Sequence, residues 1–418
     1  MRVLMPNTFH YQRGGDSTYT FSLTRLLESN GHEVVPFAMN HPENFQSQYS
    51  GYFISHIDYV EALKNVNVIT AARVASRSIY SQEARKNVER LVNDVKPDIV
   101  HMQNIHNHLT PSILYVFKKY RIPVIWTLHD FKLICPNTGF LSHGEVCEKC
   151  KTWKYFQMPL TKCKKDSRAA SFLASIEGYV HRLLRVDRLV DRLIAPSLFL
   201  KNKLIEYGID KDCIEYLPNF INPEESSDAS RQSDYFVYAG RLTSEKGVDV
   251  LIKAVSGIDN SHLIIAGDGP ARQELEKLAK NTNGSRIEFV GRLQPSQLKT
   301  LVESALFTVI TSKCYENCPY SVLESFAAGK PVIGVRIGGI PELIDEGITG
   351  LLFKAGDQTD LRDKIAYLLA NPEFARQLGS NAQDKVKISH APWVHYNRLM
   401  KIYQGALSSK SNTKLNIT

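Results

Sequence analysis

"CYENCPYSVLESFAAGKPVIG", Cys314 to Gly334, sets two glutamates, Glu316 and Glu324, on either side of a proline at a helix start, with Ala-Ala-Gly and a Val-Ile strand behind. A helix start needs one cap and gains nothing from a carboxylate in its second turn. The preceding run "LFTVITS" reads as a strand ending near Ser312, and Pro319 falls at or near the first helical position, where its missing N–H costs nothing. The amides of Tyr320, Ser321 and Val322 then point out of the helix with the positive end of its dipole, which is a phosphate site. Glu324, one turn along on the face of Tyr320 and Ser321, cannot serve a phosphate but can accept both hydroxyls of a ribose. Glu316 can accept hydroxyls on the phosphate's other side. Ribose, phosphate and polyol in a row describe a nucleotide sugar. Two glutamates alone would more commonly be one acid at a helix start and one in solvent, so the reading depends on what surrounds them.

What surrounds them is a chain of 418 residues, long enough for two domains of roughly 200 residues each. Hydrophobic content of 43% and charged content of 22% are those of an ordinary globular protein, and no apolar run is long enough to span a bilayer. The N-terminus "MRVLMPNTFHYQRGG" lacks a secretory cleavage site and reads as a first strand, so a cytoplasmic protein is expected. Seven cysteines are too sparse for a disulfide scaffold. The net charge of +8 suits an anionic ligand or an acidic membrane surface.

Short apolar runs alternate with amphipathic segments in both halves. "RVLMP", "HEVVPFAM", "PDIVHMQ", "IPVIWTLHD" and "RLIAPS" are strands of the first half; "YFVYAGRL", "HLIIAGDGP", "IEFVGRL", "LFTVITSK" and "PVIGVRIGG" are strands of the second. Strands alternating with helices imply parallel sheets covered on both faces, whose ligands bind outside the carboxyl ends of the strands. The polar stretch from Asn219 to Asp234 reads as the join, "PWVHYNRLMKIYQGAL" as a late helix, and the tail from Ser408 as unstructured. The expected fold class is α/β, two Rossmann-like domains facing each other across a cleft. Residues 1–221 with a returning helix 394–418 make the first, acceptor-side domain, and residues 222–393 the nucleotide-sugar-binding domain.

With Glu316, Glu324, "AAGKPVIG" and "GGIPELIDEGITGLLF", the chain resembles the retaining glycosyltransferase family 4 of the GT-B fold, whose hallmark is two glutamates with seven residues between them, followed by Ala, Gly, a strand and a Gly-Gly turn. The family usually has Gly-Phe-Gly after the first glutamate; here Asn317-Cys318-Pro319 stands there, and Pro319 has no N–H to give, so phosphate recognition falls to Tyr320 and Ser321. In "YAGRLTSEKGVD", Arg241 and Lys246 follow a strand. Arginine can grip a diphosphate with two parallel bonds and lysine adds a point charge, and the family places its pyrophosphate-binding pair here. In "VGRLQ" the resemblance implies that Arg292 meets the base edge through its backbone, which suits uracil; UDP is the first choice of nucleotide, ahead of GDP and ADP. "AGDGP" is explained by turn geometry alone.

From the first half, Gly14 and Gly15 lie between a strand and a helix, where glycine lets backbone approach a phosphate or sugar, and the family has a Gly-Gly at this place. "WTLHDF" gives His129 and Asp130 at a strand end. The resemblance implies that His129 reaches the donor sugar's hydroxyls, that Asn317 and Cys318 contact the sugar, and that Glu316 positions the reacting centre. It also implies retention of anomeric configuration and no metal cofactor, with Arg241, Lys246 and the helix amides stabilising the departing diphosphate. The implied activity is transfer of a hexose, glucose-type by first choice, from a UDP-sugar to a saccharide or lipid-linked saccharide in polysaccharide or cell-envelope glycan synthesis. A nucleotide-sugar 2-epimerase and a non-catalytic nucleotide-sugar sensor are the rival readings; the glutamate spacing argues against the first and the intact Arg241, Lys246, His129 and Glu316 against the second. No G-x-G-x-x-G follows the first strand, which excludes a hydride-transferring dehydrogenase.

Two segments stand apart from this pattern. Cys147 and Cys150 form a C-x2-C flanked by Cys135 and Cys163, compatible with a four-thiolate zinc site, reduced thiols or a disulfide. From Lys162 to Arg192, eight Lys/Arg face four Asp/Glu, interleaved with "FLASIEGYVHRLLRV". This is either a domain helix with a solvated basic face or a basic amphipathic helix lying on an anionic membrane, at whose inner face the protein would then work. No nucleic-acid partner is expected.

Overall fold

The computed structural model describes residues 1–56, 77–222 and 234–415, so most of the polar join lies outside the described residues. The first sheet collects strands β1 (Arg2–Pro6), β2 (Glu33–Phe37), β3 (Ile99–Met102) and β4 (Val124–Thr127). A two-residue hairpin, β5 (Leu141–Ser142) with β6 (Glu145–Val146), interrupts it before β7 (Arg192–Ala195) and β8 (Ile214–Tyr216). Its order is β2-β1-β3-β4-β7-β8, all parallel. The second sheet is built from β9 (Tyr235–Ala239), β10 (Ser261–Ala266), β11 (Ser285–Gly291), β12 (Thr308–Ile310), β13 (Val332–Val335) and β14 (Gly350–Phe353). It runs β11-β10-β9-β12-β13-β14, again all parallel.

Both sheets follow from the sequence pattern. Their central strands are apolar without alternation because both faces are covered: Val3 and Leu4, or Ile99 and Val100, are fully buried on opposite sides. β8 and β14 are edge strands of three and four residues, too short to show a period, and were not expected from sequence.

The strand orders decide where a ligand can sit. Order reverses beside β1 in the first sheet and beside β9 in the second, so a crevice opens between the carboxyl ends of β1 and β3, and another between those of β9 and β12. The loops entering these crevices carry Gly14–Gly15, Arg241–Lys246 and Glu316.

The helix Pro392–Leu415 returns to the first sheet, where Leu399, Tyr403 and Ala406 join Val3, Met5, Tyr19 and Ile125 in one buried cluster. Neutral histidines fasten it: His395 Nε2 meets the Tyr19 hydroxyl at 3.1 Å, and His101 Nδ1 meets the Tyr403 hydroxyl at 2.7 Å. The stretch from Ser408, expected to be unstructured, continues this helix to Leu415. Among the described residues no helix is long and apolar enough to cross a membrane.

Candidate functional site

Two helix starts face each other across the cleft. In the first domain, the helix Gly15–Ser29 begins after β1, with Ser17 Oγ accepting the N–H groups of Arg13 and Gly14. In the second, the helix Tyr320–Ala327 begins with Pro319 as its cap rather than its first residue. A side chain at Gly15 would stand 3.6 Å from the Tyr320 ring, so the two positive dipole ends converge. Val322 N–H donates to the Pro319 carbonyl at 3.2 Å, which removes it from the expected trio and leaves Tyr320 and Ser321 as the free amides of this helix start. The Tyr320 hydroxyl is buried without a hydrogen-bond partner.

Between the domains lies a cavity of about 450 Å³, within the range of small-ligand sites. Gln12, Thr18 and Ser22 form its first-domain wall; Ser321, Glu324 and Leu293 are on the other. Glu324 reaches solvent through this cavity but is crowded by protein on its other sides, and that desolvation holds its pKa above the usual carboxylate range. Arg292 is exposed beside the cavity, and it is the next residue, Leu293, that lines the wall.

Glu316 is fixed from three directions. Lys246 Nζ donates to its Oε1 at 2.5 Å and Ser312 Oγ donates to the same oxygen at 2.6 Å, so Oε2 is the atom left for a ligand. Its backbone carbonyl accepts the Gly339 N–H at 2.7 Å. The Gly-Gly turn has no room for side chains: a Cβ on Gly338, at φ +60°, would stand 2.5 Å from the Glu316 carbonyl oxygen, and one on Gly339 1.9 Å from that of Asn317. Gly267 of "AGDGP" likewise presses on the arginine loop, with the Gly240 oxygen 1.8 Å from where its Cβ would be, so close approach adds to turn geometry there. Arg241 is exposed on that loop, near enough to Lys246 for the two cations to repel; burial also works against the Lys246 charge, yet the Glu316 carboxylate keeps its pKa above the usual lysine value.

His129 follows β4 with Nε2 at 2.8 Å from Gln103 Oε1, and its ring lies edge-on to Tyr19. With the Gln103 oxygen on Nε2, that nitrogen carries the proton, so Nδ1 is an acceptor for a ligand hydroxyl. Burial lowers the His129 pKa against the pull of Asp16 and Asp130, so the ring is neutral. Asp130 is not a free base: burial disfavours its charge, but His106 at 3.2 Å and the Lys132 N–H hold its pKa below the usual range.

Two residues expected at the sugar have their side chains engaged elsewhere. Asn317 bridges the domains, its Oδ1 accepting Ser197 Oγ at 2.9 Å and its Nδ2 donating to the Leu128 carbonyl at 3.3 Å. The Cys318 side chain turns into the second-domain core, where burial pushes its thiol up to about 12. Sequence reasoning missed the residues that hold the site: Ser312, Gln103, and Glu342, whose carboxylate caps the Leu198–Glu206 helix of the other domain. Ser312 and Gln103 had a local signal, each as a polar residue ending an expected strand; Glu342 had none. The four clustered cysteines are free thiols; burial pushes Cys135 up to about 11 and Cys150 up to about 12. Among the described residues no three His, Cys, Asp or Glu side chains are grouped to hold a metal.

The family description Glycosyltransferase Family 4 matches residues 13–225, and Glycosyl transferases group 1 matches residues 222–385. The chain is a family 4 glycosyltransferase. This enzyme is 25% identical to an uncharacterized glycosyltransferase of Methanocaldococcus jannaschii over 92% of its own length and 93% of the relative's. Sucrose-phosphate synthase of Thermosynechococcus elongatus superimposes with a TM-score of 0.69 at 17% identity, over 98% of this chain and 99% of that one. HepE of Anabaena, solved in complex with UDP-glucose, superimposes at 0.63 and 16% identity, over 97% and 100%. The fold of this family 4 glycosyltransferase is thereby GT-B.

Proposed function

We propose that this glycosyltransferase moves a hexose, glucose-type by first choice, from a UDP-sugar to a saccharide or lipid-linked saccharide, with retention and without a metal, in cytoplasmic assembly of a polysaccharide or envelope glycan. The observation that carries the reading is the convergence of two helix N-termini, at Gly15 and Tyr320, beside a cavity that Glu324 lines. Like dipole ends repel unless an anion lies between them, and a diphosphate beside a ribose fits that charge and that carboxylate. The UDP-glucose complex of HepE supports the choice of nucleotide by analogy of fold.

As the bond from the sugar's anomeric carbon to the diphosphate breaks, Arg241 and the amides of Tyr320 and Ser321 take up the growing negative charge. Lys246 holds Glu316, whose remaining oxygen orients the sugar, and His129 Nδ1 accepts another sugar hydroxyl. The acceptor oxygen bonds to the anomeric carbon on the face the diphosphate leaves, and its proton passes to a diphosphate oxygen. Asp130, the carboxylate nearest His129 in sequence, is already committed to His106, which agrees with a reaction that uses no protein base on the opposite face.

Calorimetric titration with UDP, GDP and ADP, before and after EDTA, tests the donor half. UDP should bind tightest and equally well with EDTA. Preference for another nucleotide, or loss of binding with EDTA, would overturn the UDP or metal-free part respectively. UDP binding without any UDP-sugar hydrolysis would favour the sensor.

A further inference from the structure

The helix Arg168–Leu183 is amphipathic in the wrong sense for a helix packed on a domain. Its buried face is small or polar: Ser171, Ala174, Ser175, Glu177 and Gly178. Its exposed face carries Phe172, Ile176, Tyr179 and Leu183, spaced i, i+4, i+7 and i+11 in a single stripe, with Phe172 59% and Leu183 83% accessible. The inward face has good reasons for its composition. Glu177 pairs with Lys132 at 2.7 Å in the interior, and a Cβ on Gly178 would stand 2.7 Å from the Pro136 ring. Among the described residues the outward face has none. Phe156 and Leu160, 50% and 70% accessible, extend it from the Gln157–Thr161 helix alongside; the Phe156 N–H donates to the Tyr179 hydroxyl, which joins the two surfaces.

A contiguous exposed patch of this kind marks a contact surface. Its rim selects the partner. Lys165 and Arg168 are exposed at one end of the stripe and Arg185 and Arg188 at the other, and among the described residues no salt bridge engages these four. The acid within the helix, Glu177, is neutralised inside the protein. Asp166, exposed between Lys165 and Arg168, offsets one of these cations, and Asp187 at the other end is paired with Arg182, so both ends stay net cationic. A second copy laid on this face in either direction would bring like charges together, whereas an anionic bilayer meets both the apolar stripe and its cationic ends. We infer that the faces of the Gln157–Thr161 and Arg168–Leu183 helices form a docking surface for an anionic phospholipid membrane, with the aromatic and leucine side chains entering the headgroup boundary and the cations contacting lipid phosphates.

This surface deepens the lipid-linked branch of the proposed function. Glu148 of the adjoining hairpin segment accepts the Tyr315 hydroxyl at 2.7 Å, next to Glu316, so the docking face belongs to a body that borders the cleft. An acceptor tethered in the bilayer would be delivered to that border.

The test needs no nucleotide, so its failure is separate from failure of the donor reading. The full chain is centrifuged with phosphatidylcholine vesicles with and without phosphatidylglycerol, at low and high salt. Wild type should sediment with the anionic vesicles only, and less at high salt. Phe172→Glu/Leu183→Glu should abolish sedimentation while keeping UDP affinity and the circular-dichroism spectrum. Arg168→Gln/Arg185→Gln, which alters charge alone on exposed side chains and so keeps the test open should the first variant misfold, should weaken it on the order of fivefold per cation removed. No sedimentation of wild type, or sedimentation unchanged in both variants, overturns the proposal. A wild-type dimer on size exclusion that Phe172→Glu/Leu183→Glu makes monomeric, without vesicle binding, would reassign the face to self-association.

Discussion

The two walls of the cleft are built on opposite principles. The second-domain wall is short loops pinned by backbone contact: Gly338 and Gly339 press on the Glu316 loop, Gly267 presses on the arginine loop, and Arg241, Lys246 and Glu316 lie on loops that leave strand ends. The first-domain wall after His129 is a long segment with little sheet of its own, held by a buried ion pair, by edge-on aromatic packing of Phe131, Phe140 and Tyr315, and by a helix with its large apolar residues outward. One wall has little freedom to vary without moving its carboxylates. The other keeps its ends fixed and leaves Phe172, Ile176, Tyr179 and Leu183 outward. Chemistry that must be placed to a fraction of an ångström sits on the first kind of wall; the choice of acceptor is free to sit on the second.

The sharpest way to separate the walls is to damage each and ask what is lost. Lys132→Met leaves Glu177 buried and unpaired, with side chains only 5% and 7% accessible in the pair, and should cost about 3–5 kcal/mol of stability in a denaturant melt. Lys132→Met/Glu177→Leu should recover most of it, and a melt of Lys132→Met at the wild-type midpoint would contradict the pairing. Arg241→Ala should leave the melt unchanged and lower kcat/KM by about 3 kcal/mol, more than a hundredfold; unchanged turnover would take Arg241 out of the site.

Acid acts on neither wall but on the clasp behind the first. His101 and His395 have folded-state pKa values lowered to about 3 by burial, against an ordinary 6.5, so the unfolded chain takes up their protons first. Stability is full above pH 6.5 and should fall as pH drops from there towards 3, by about 1.4 kcal/mol per pH unit for each histidine. The check is a pH series of melts, with proteolysis of the Pro392–Leu415 helix rising in parallel; a flat profile between pH 6.5 and 4 would show that neither histidine is buried neutral. The smallest effect is expected at Glu324→Ala, which should weaken UDP about tenfold, roughly 1.4 kcal/mol, with equal affinity in wild type and variant counting against the ribose assignment.

The same contrast governs what could be read from sequence. Spacing within one strand-loop-helix unit is local, so Glu316, Glu324, Arg241, Lys246 and the glycines could be picked out and their rim foreseen. The residues that orient them come from far along the chain: Gln103 holds His129 from another strand, and Glu342 caps a helix 144 residues away. No spacing reports such contacts. Cys318 beside a proline reads as loop, but the turn that follows drives its side chain into the core. The helix Arg168–Leu183 gives the general lesson. Periodicity identified a stripe but not which side of the helix faces inward: Gly178 and Glu177, not the phenylalanine and leucines, answer the contours of the segment beneath.

The returning helix has a consequence for how the molecule is made. Tyr403 and Leu399 complete the first sheet's core, yet they follow the whole second domain in the chain. On a ribosome the second domain has all of its strands before the first has its last buried side chains. The Glu316 loop can therefore be in place while the first domain still lacks its clasp, and the cleft becomes a cleft only once Leu399 and Tyr403 have been made.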